Sequence, residues 1–424
     1  MADYKEMWKG LGLNLEKHDV LLNALGDMYG SMYMNQKDRP KGMEYFDFVV
    51  SEAHGLRIKE LLDHKEKGGK VIGTFCVYVP DEIITAANAI GVGLCGGAQI
   101  SIPDAETVLP ANLCPLIKSV FGFKLGRICP YLEASDLLIG ETTCDGKKKV
   151  WEIFNDYAPV YVMEVPQKKG KKAKELYLEE LKLFKDKMEK VSGVKITADM
   201  LGEKIKLINS KRKAIERLYE LRKSSPSPIS GKDALLISQI AFYDDPVRFT
   251  AQLNVLCNEL EERVKKGVGA MDKKAKRLMI SGCPMALPNW KTHHIIETSG
   301  ANVVCEETCT GTRYFTSPVI DENIKDIDGQ MKAIADRYMS INCSCFTPND
   351  ERIDDIVRLA KEYKVDGVVY YSLQFCLTYN LEYGKVKKAL DKAGVPLLKI
   401  ETDYSDEDSG QLKTRIQGFL ERIS

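Results

Sequence analysis

The spacing of apolar positions changes period along the chain. Over residues 1–65 they recur at helical spacing, as in Val20, Leu21, Ala24 and Leu25 and again in Leu56, Ile58, Leu61 and Leu62, which predicts an N-terminal helical cap. Over 66–167, short apolar runs at 70–76, 91–95, 136–144 and 159–165 alternate with stretches of helical character beginning near Asp81, Cys114 and Lys147. Over 168–270 the pattern is almost wholly helical, broken by the turn formers Ser-Ser-Pro-Ser-Pro-Ile-Ser-Gly at 224–231. Over 271–424 the alternation returns, with apolar runs at 277–283, 300–305, 366–371 and 396–401 and a helix near His293. Strands alternating with helices call for parallel sheets. The expected fold class is α/β: two Rossmann-like domains whose parallel sheets face a shared site, with N-terminal and central helical segments.

The two α/β stretches are written alike in cysteine. Cys76 and Cys283 each close a first apolar run, and Cys95 and Cys305 each close a second. Cys114 falls in a later connection, as do Cys343 and Cys345; Cys144 and Cys376 each follow the run that begins at Asp136 or Asp366. The carboxyl ends of parallel strands form the ligand crevice of such sheets, so the thiols are expected to gather in two crevices that converge. Cys129 and Cys257 fall outside the pattern, and Cys257, with Leu253 and Leu260 beside it, reads as core.

Composition narrows what those thiols do. The chain has 424 residues and 12 cysteines, too large a core to need disulfide staples. No apolar h-region or membrane-length run is present, so a cytoplasmic chain is expected, where thiols stay reduced. Lys+Arg and Asp+Glu are both 61, which argues against a nucleic-acid footprint. With only five histidines and no Cys-x-x-Cys pair, zinc ribbons and ferredoxin runs are disfavoured. Scattered soft thiolates suit an iron–sulfur cluster at an interface. Glu141, at an apolar strand end, is the candidate catalytic proton donor. Lys147, Lys148, Arg313, Tyr314 and Gln374 are further polar neighbours of cysteines, while His293 and His294 read as helix surface or core. The basic run at 168–174 reads as a solvated loop.

Several stretches resemble the D-component family of 2-hydroxyacyl-CoA dehydratases and benzoyl-CoA reductases: Cys76-Val-Tyr-Val-Pro-Asp-Glu-Ile, Asn112-Leu-Cys114, Glu141-Thr-Thr-Cys-Asp-Gly-Lys-Lys148, Cys309-Thr-Gly-Thr-Arg313 and Gln374-Phe-Cys376. The resemblance implies a 4Fe-4S cluster on Cys114, Cys144 and Cys376, reduced by an ATP-hydrolysing iron–sulfur activator. No Gly-x-x-x-x-Gly-Lys-Ser/Thr loop occurs in the chain, which fits ATP binding on the partner. The surplus of cysteines resembles the double-cubane proteins of the superfamily, which implies an 8Fe-9S cluster with Cys76, Cys309 and Cys345 as the second trio. Cys305 and Cys343 are reserves for that trio, followed by Cys95 and Cys283. The implied function is ATP-dependent reduction of a small unsaturated molecule by a homodimer. The alternatives are a 2-hydroxyacyl-CoA dehydratase subunit with one 4Fe-4S cluster and a non-catalytic electron-transfer protein.

Overall fold

The computed structural model describes residues 4–94, 96–317 and 320–424. Strands β1 (Lys70–Thr74), β2 (Ala89–Gly93), β3 (Leu137–Glu141) and β4 (Val160–Met163) form a parallel sheet in the order β2-β1-β3-β4. Strands β5 (Lys276–Gly282), β6 (Ala301–Glu307), β7 (Gly367–Leu373) and β8 (Leu397–Thr402) repeat it as β6-β5-β7-β8. Strands β3, β6 and β7 are buried along their whole length, as parallel strands covered on both faces must be. That burial is why they appear in the sequence as continuous apolar runs.

The repeat extends to atomic detail. Asp136 closes the start of the first sheet: its N–H donates to Val71 O at 2.8 Å while its carboxylate accepts from Val71 N at 2.9 Å. Asp366 does the same in the second sheet, donating to Arg277 O at 2.8 Å and accepting from Arg277 N at 2.7 Å. Each aspartate thereby prolongs the ladder by one charge-assisted bond at the strand entrance.

Four long helices separate the sheets in sequence: Lys171–Ser192, Ala198–Leu221, Gly231–Ile240 and Pro246–Lys265. Thr197, Ser230 and Asp245 cap the last three by accepting from backbone N–H groups one turn on, which satisfies donors a helix start leaves orphaned. Gly231–Ile240 is buried on every side. Ala198–Leu221 touches helices of both halves. From it the buried Arg212 donates to Glu82 at 2.6 Å and to the Tyr338 hydroxyl at 2.9 Å, and Tyr338 donates to Glu82 at 2.8 Å. One charge-assisted triad therefore ties the two halves together.

One expected strand end is displaced. β6 runs on through Glu307, so Cys305 is an interior, fully buried strand residue rather than the residue that closes the strand. Glu306 and Glu307 extend the strand because buried arginines neutralise them, a cue no hydropathy pattern carries. Cys95 lies outside the described residues. No helix among the described residues is long and apolar enough to cross a membrane.

Candidate metal centre

At the carboxyl ends of the two sheets a cavity of about 190 Å³ is walled by eight cysteines: Cys76, Cys114, Cys144, Cys283, Cys309, Cys343, Cys345 and Cys376. The first three come from the first half and the other five from the second. Cys114, Cys144 and Cys376 share one local device, each standing at the N-cap of a helix (Pro115–Leu125, Asp145–Phe154 and Leu377–Lys392). None makes a full capping hydrogen bond there. Even so, backbone N–H groups such as those of Leu116, Lys147 and Tyr379 favour the thiolate form of the sulfur they face.

The thiols form two neighbourhoods. Hydrogen bonds from Cys114 and Cys283 hold the Cys376 thiol well below its ordinary value. The same contact with Cys376, together with burial, pushes Cys114 up. In the other neighbourhood Cys343 is held down to about 6, first by its hydrogen bond with Cys345, and it feels Arg313 as well. Burial pushes Cys76 up to about 12 and Cys144 up to about 11. The wall thus offers many sulfurs that resist ionising unless positive charge arrives.

Among the described residues lining the cavity there is no carboxylate, and Lys147 is the only lysine or arginine. No three His, Cys, Asp or Glu side chains among the described residues converge on a single-ion site. A polynuclear cluster does not need that, because each thiolate binds a different iron. Eight thiols spread around a cavity that no carboxylate lines among the described residues therefore fit an iron–sulfur cluster.

A buried polar network holds the second neighbourhood. The Glu307 carboxylate accepts from Arg313 Nε at 2.6 Å, Arg352 Nη2 at 2.9 Å and Ser281 Oγ at 2.7 Å. Arg313 also donates to the Tyr379 hydroxyl and approaches Cys309 Sγ at 3.7 Å. Tyr379 Oη lies 3.9 Å from Cys343 Sγ. The loop bearing Cys343 and Cys345 is fixed by Tyr78, whose hydroxyl donates to Ile341 O at 3.0 Å, and by Asn349, which donates to Cys343 O at 2.9 Å.

The profile of the family described as 2-hydroxyglutaryl-CoA dehydratase, D-component, matches residues 76–423. The chain belongs to this family. YjiM of Escherichia coli (strain K12), which carries the name of a dehydratase subunit, is 36% identical over 88% of this chain and 96% of its own length. The (R)-phenyllactyl-CoA dehydratase beta subunit of Clostridium sporogenes is 26% identical over 86% of this chain and 95% of its own. One of the benzoyl-CoA reductase subunits of Thauera aromatica is 26% identical over 88% of this chain and 95% of its own.

Within this D-component fold, all six sequence-selected thiols line the one cavity, joined by Cys343 and Cys283. Cys305 does not line it; its neighbours are Glu306 and Arg222. Cys283 had a readable signal in its equivalence to Cys76. Glu141 is fully buried at the end of β3 and pairs with Lys147; the lysine reaches the cavity wall and the carboxylate does not. Lys148 is exposed beside Asp145. Tyr314 is turned away, donating to Asp81 at 3.0 Å, and Gln374 is half-buried off the wall. His293 is core, 3.1 Å from Glu306. His54, from the N-terminal cap, lines the cavity with no sequence signal to mark it.

Proposed function

We propose that this chain is the iron–sulfur catalytic subunit of a reductase for small unsaturated molecules, carrying an 8Fe-9S double cubane on Cys76, Cys114, Cys144, Cys309, Cys345 and Cys376. The observation that carries the reading is the number of thiols on one wall, eight, where a single cubane takes at most four. Their division into two neighbourhoods supports two joined cubanes, with Cys283 and Cys343 as additional thiols beside them. When bound, the cluster supplies low-potential electrons. Reducing one multiple bond takes two electrons, delivered by an ATP-hydrolysing iron–sulfur activator, and two protons, ultimately from solvent.

The chain's own residues bind, orient and protonate. Lys147, held by Glu141, presents a cation to the wall, where it favours anionic sulfur and can pass a proton into the cavity. Glu141 acts through it as a positioning residue. The cavity's apolar remainder excludes water. We take the protein to be cytoplasmic and homodimeric, with no nucleic-acid or membrane partner.

The names of the relatives favour a second reading, a 2-hydroxyacyl-CoA dehydratase subunit with one 4Fe-4S cluster on Cys114, Cys144 and Cys376. Iron and sulfide analysis after anaerobic purification separates the two. About eight irons per chain supports the double cubane; about four, with activity only when a different subunit is added, supports the dehydratase. Zinc or no metal overturns both.

A further inference from the structure

The basic run at 168–174, which the sequence pattern presents as a solvated loop, has one lysine that turns inward. Lys168, Lys171, Lys172 and Lys174 are exposed, whereas Lys169 is half-buried. Just before the helix Lys171–Ser192 begins, the chain crosses onto the loop that carries Cys343 and Cys345. Thr347 N donates to Gln167 O at 2.9 Å. Lys169 Nζ donates to the Asn342 side-chain oxygen and lies 4.9 Å from the centre of the Phe346 ring. Asn342 and Phe346 flank the two cysteines, so Lys169 stands behind this part of the wall rather than on it.

An ammonium withdrawn from water needs compensation, and here it has only a neutral amide oxygen and a ring face. Among the described residues no carboxylate forms an ion pair with it. Burial lowers its pKa, while Glu351, Asp355, Cys345 and Cys343 pull the other way. Glu351 is exposed, and Asp355 is engaged by Arg358 at 2.9 Å and by the Asn342 amide at 2.5 Å. The loop is already fastened by Tyr78 and Asn349, so its shape does not require the charge. What remains for the cation is the pair of sulfurs, which become anionic when iron binds. The first neighbourhood is served differently: Cys376 has the Thr378 hydroxyl at 3.8 Å and Cys283 the Leu373 N–H at 3.5 Å, both neutral.

We infer that Lys169 sets the reduction potential of the cubane on the Cys345 side, its charge favouring the reduced form. This rests on the proposed double cubane. Each electron taken up adds one negative charge to the cluster, and a fixed cation nearby stabilises that charge and raises the potential. Arg313 acts on the same neighbourhood at Cys309, 3.7 Å from its Sγ. The two cations come from different elements, so the charge of Lys169 can be removed without touching the network around Glu307.

The test is an anaerobic redox titration of the iron-loaded protein with titanium(III) citrate, without activator, followed by electron paramagnetic resonance. Lys169→Gln removes the charge but can still donate to Asn342, whereas Lys169→Arg keeps the charge. In Lys169→Gln the ratio of reduced to oxidised cluster at a fixed applied potential should fall about fivefold, which is about 40 mV downward for one electron. Lys169→Arg should stay near the natural value. So should Lys172→Gln, which loses an exposed lysine of the same run. A change under about twofold in Lys169→Gln, or an equal change in Lys172→Gln, overturns the assignment. Iron is counted on the same samples. Iron lost from Lys169→Gln alone supports a charge that the cluster needs; iron lost from Lys169→Arg as well marks a mechanical clasp and overturns the assignment. The natural protein's own count separates the two failures. About eight irons per chain with an unmoved potential removes the role of Lys169 alone, whereas about four removes the double cubane and that role with it.

Discussion

Glu307→Gln tests how the second thiol neighbourhood is held. Glu307 is 2% exposed, and its carboxylate gathers Arg313, Arg352 and Ser281. Burial alone would raise its pKa, but Arg313 and Arg352 outweigh burial and hold it below the ordinary carboxylate value. Glutamine keeps the shape and removes the charge. Two buried guanidiniums are then left with Glu382, which pairs with Arg352 alone, and the new NH₂ faces an N–H donor. Breaking a buried pair from one side costs about 3–5 kcal/mol. Urea unfolding of the iron-loaded protein, followed by tryptophan fluorescence, should show a loss of that size. Glu152→Gln, which removes an exposed partner of Lys149, should leave stability essentially unchanged. Because Arg313 also reaches Cys309 and Tyr379, the variant should release part of its iron to a chelator faster. A stability loss under about 1 kcal/mol with unchanged iron retention would refute the reasoning.

Other consequences are checked more simply. Cys376→Ser and Cys309→Ser should each lower iron content, whereas Cys305→Ser should leave it unchanged; equal loss in all three would contradict the placement of Cys305. Glu141→Gln should reduce kcat about tenfold while iron content and KM hold, since it disturbs only how Lys147 is presented. Burial pushes the His54 imidazole down to about 3, so below its unfolded value of about 6.5 the unfolded chain binds a proton that the folded chain refuses. That stability is fully present above about pH 6.5 and falls as pH drops towards 3, amounting to about 3 kcal/mol by pH 4. His54→Phe should flatten that part of the acid-unfolding curve, and an unchanged curve would contradict the assignment of the shift to His54.

Much of the fold was legible because parallel strands are buried on both faces and leave unbroken apolar runs. The helices that start at Pro115 and Asp145 were legible near Cys114 and Lys147, whereas the helix Leu377–Lys392 behind Cys376 was not read from the sequence. The misplaced residue is instructive. Cys305 was expected to close a strand, yet β6 continues through Glu306 and Glu307 because Arg222, Arg313 and Arg352 arrive from elements 45 to 84 residues away or from the following turn. Long-range neutralisation of this kind has no periodic signature. His54 escaped notice similarly: its place on the wall depends on packing between the N-terminal cap and a loop of the first sheet's domain.

The repeat explains why the site is rich in sulfur but unequal between halves. Identical strand orders and the paired aspartates Asp136 and Asp366 make β1 equivalent to β5 and β3 to β7. Cys76 then corresponds to Cys283, and Cys144 to Cys376. These four positions are the symmetric part of the wall. Among the described residues, Cys309, Cys343 and Cys345 have no full set of counterparts lining the cavity from the first half, where Cys114 answers for the later connection alone. The extra sulfurs sit where the second half supplies buried positive charge, with Arg313 3.7 Å from Cys309 and lowering the pKa of Cys343. Lys147 is the first half's nearest equivalent, and among the described residues it is the wall's single lysine or arginine. Anionic sulfur needs compensation at low dielectric, so the side of the fold that brought arginines to the strand ends could also carry more thiolates. The asymmetry of the site follows from that electrostatic difference, laid over a symmetric backbone.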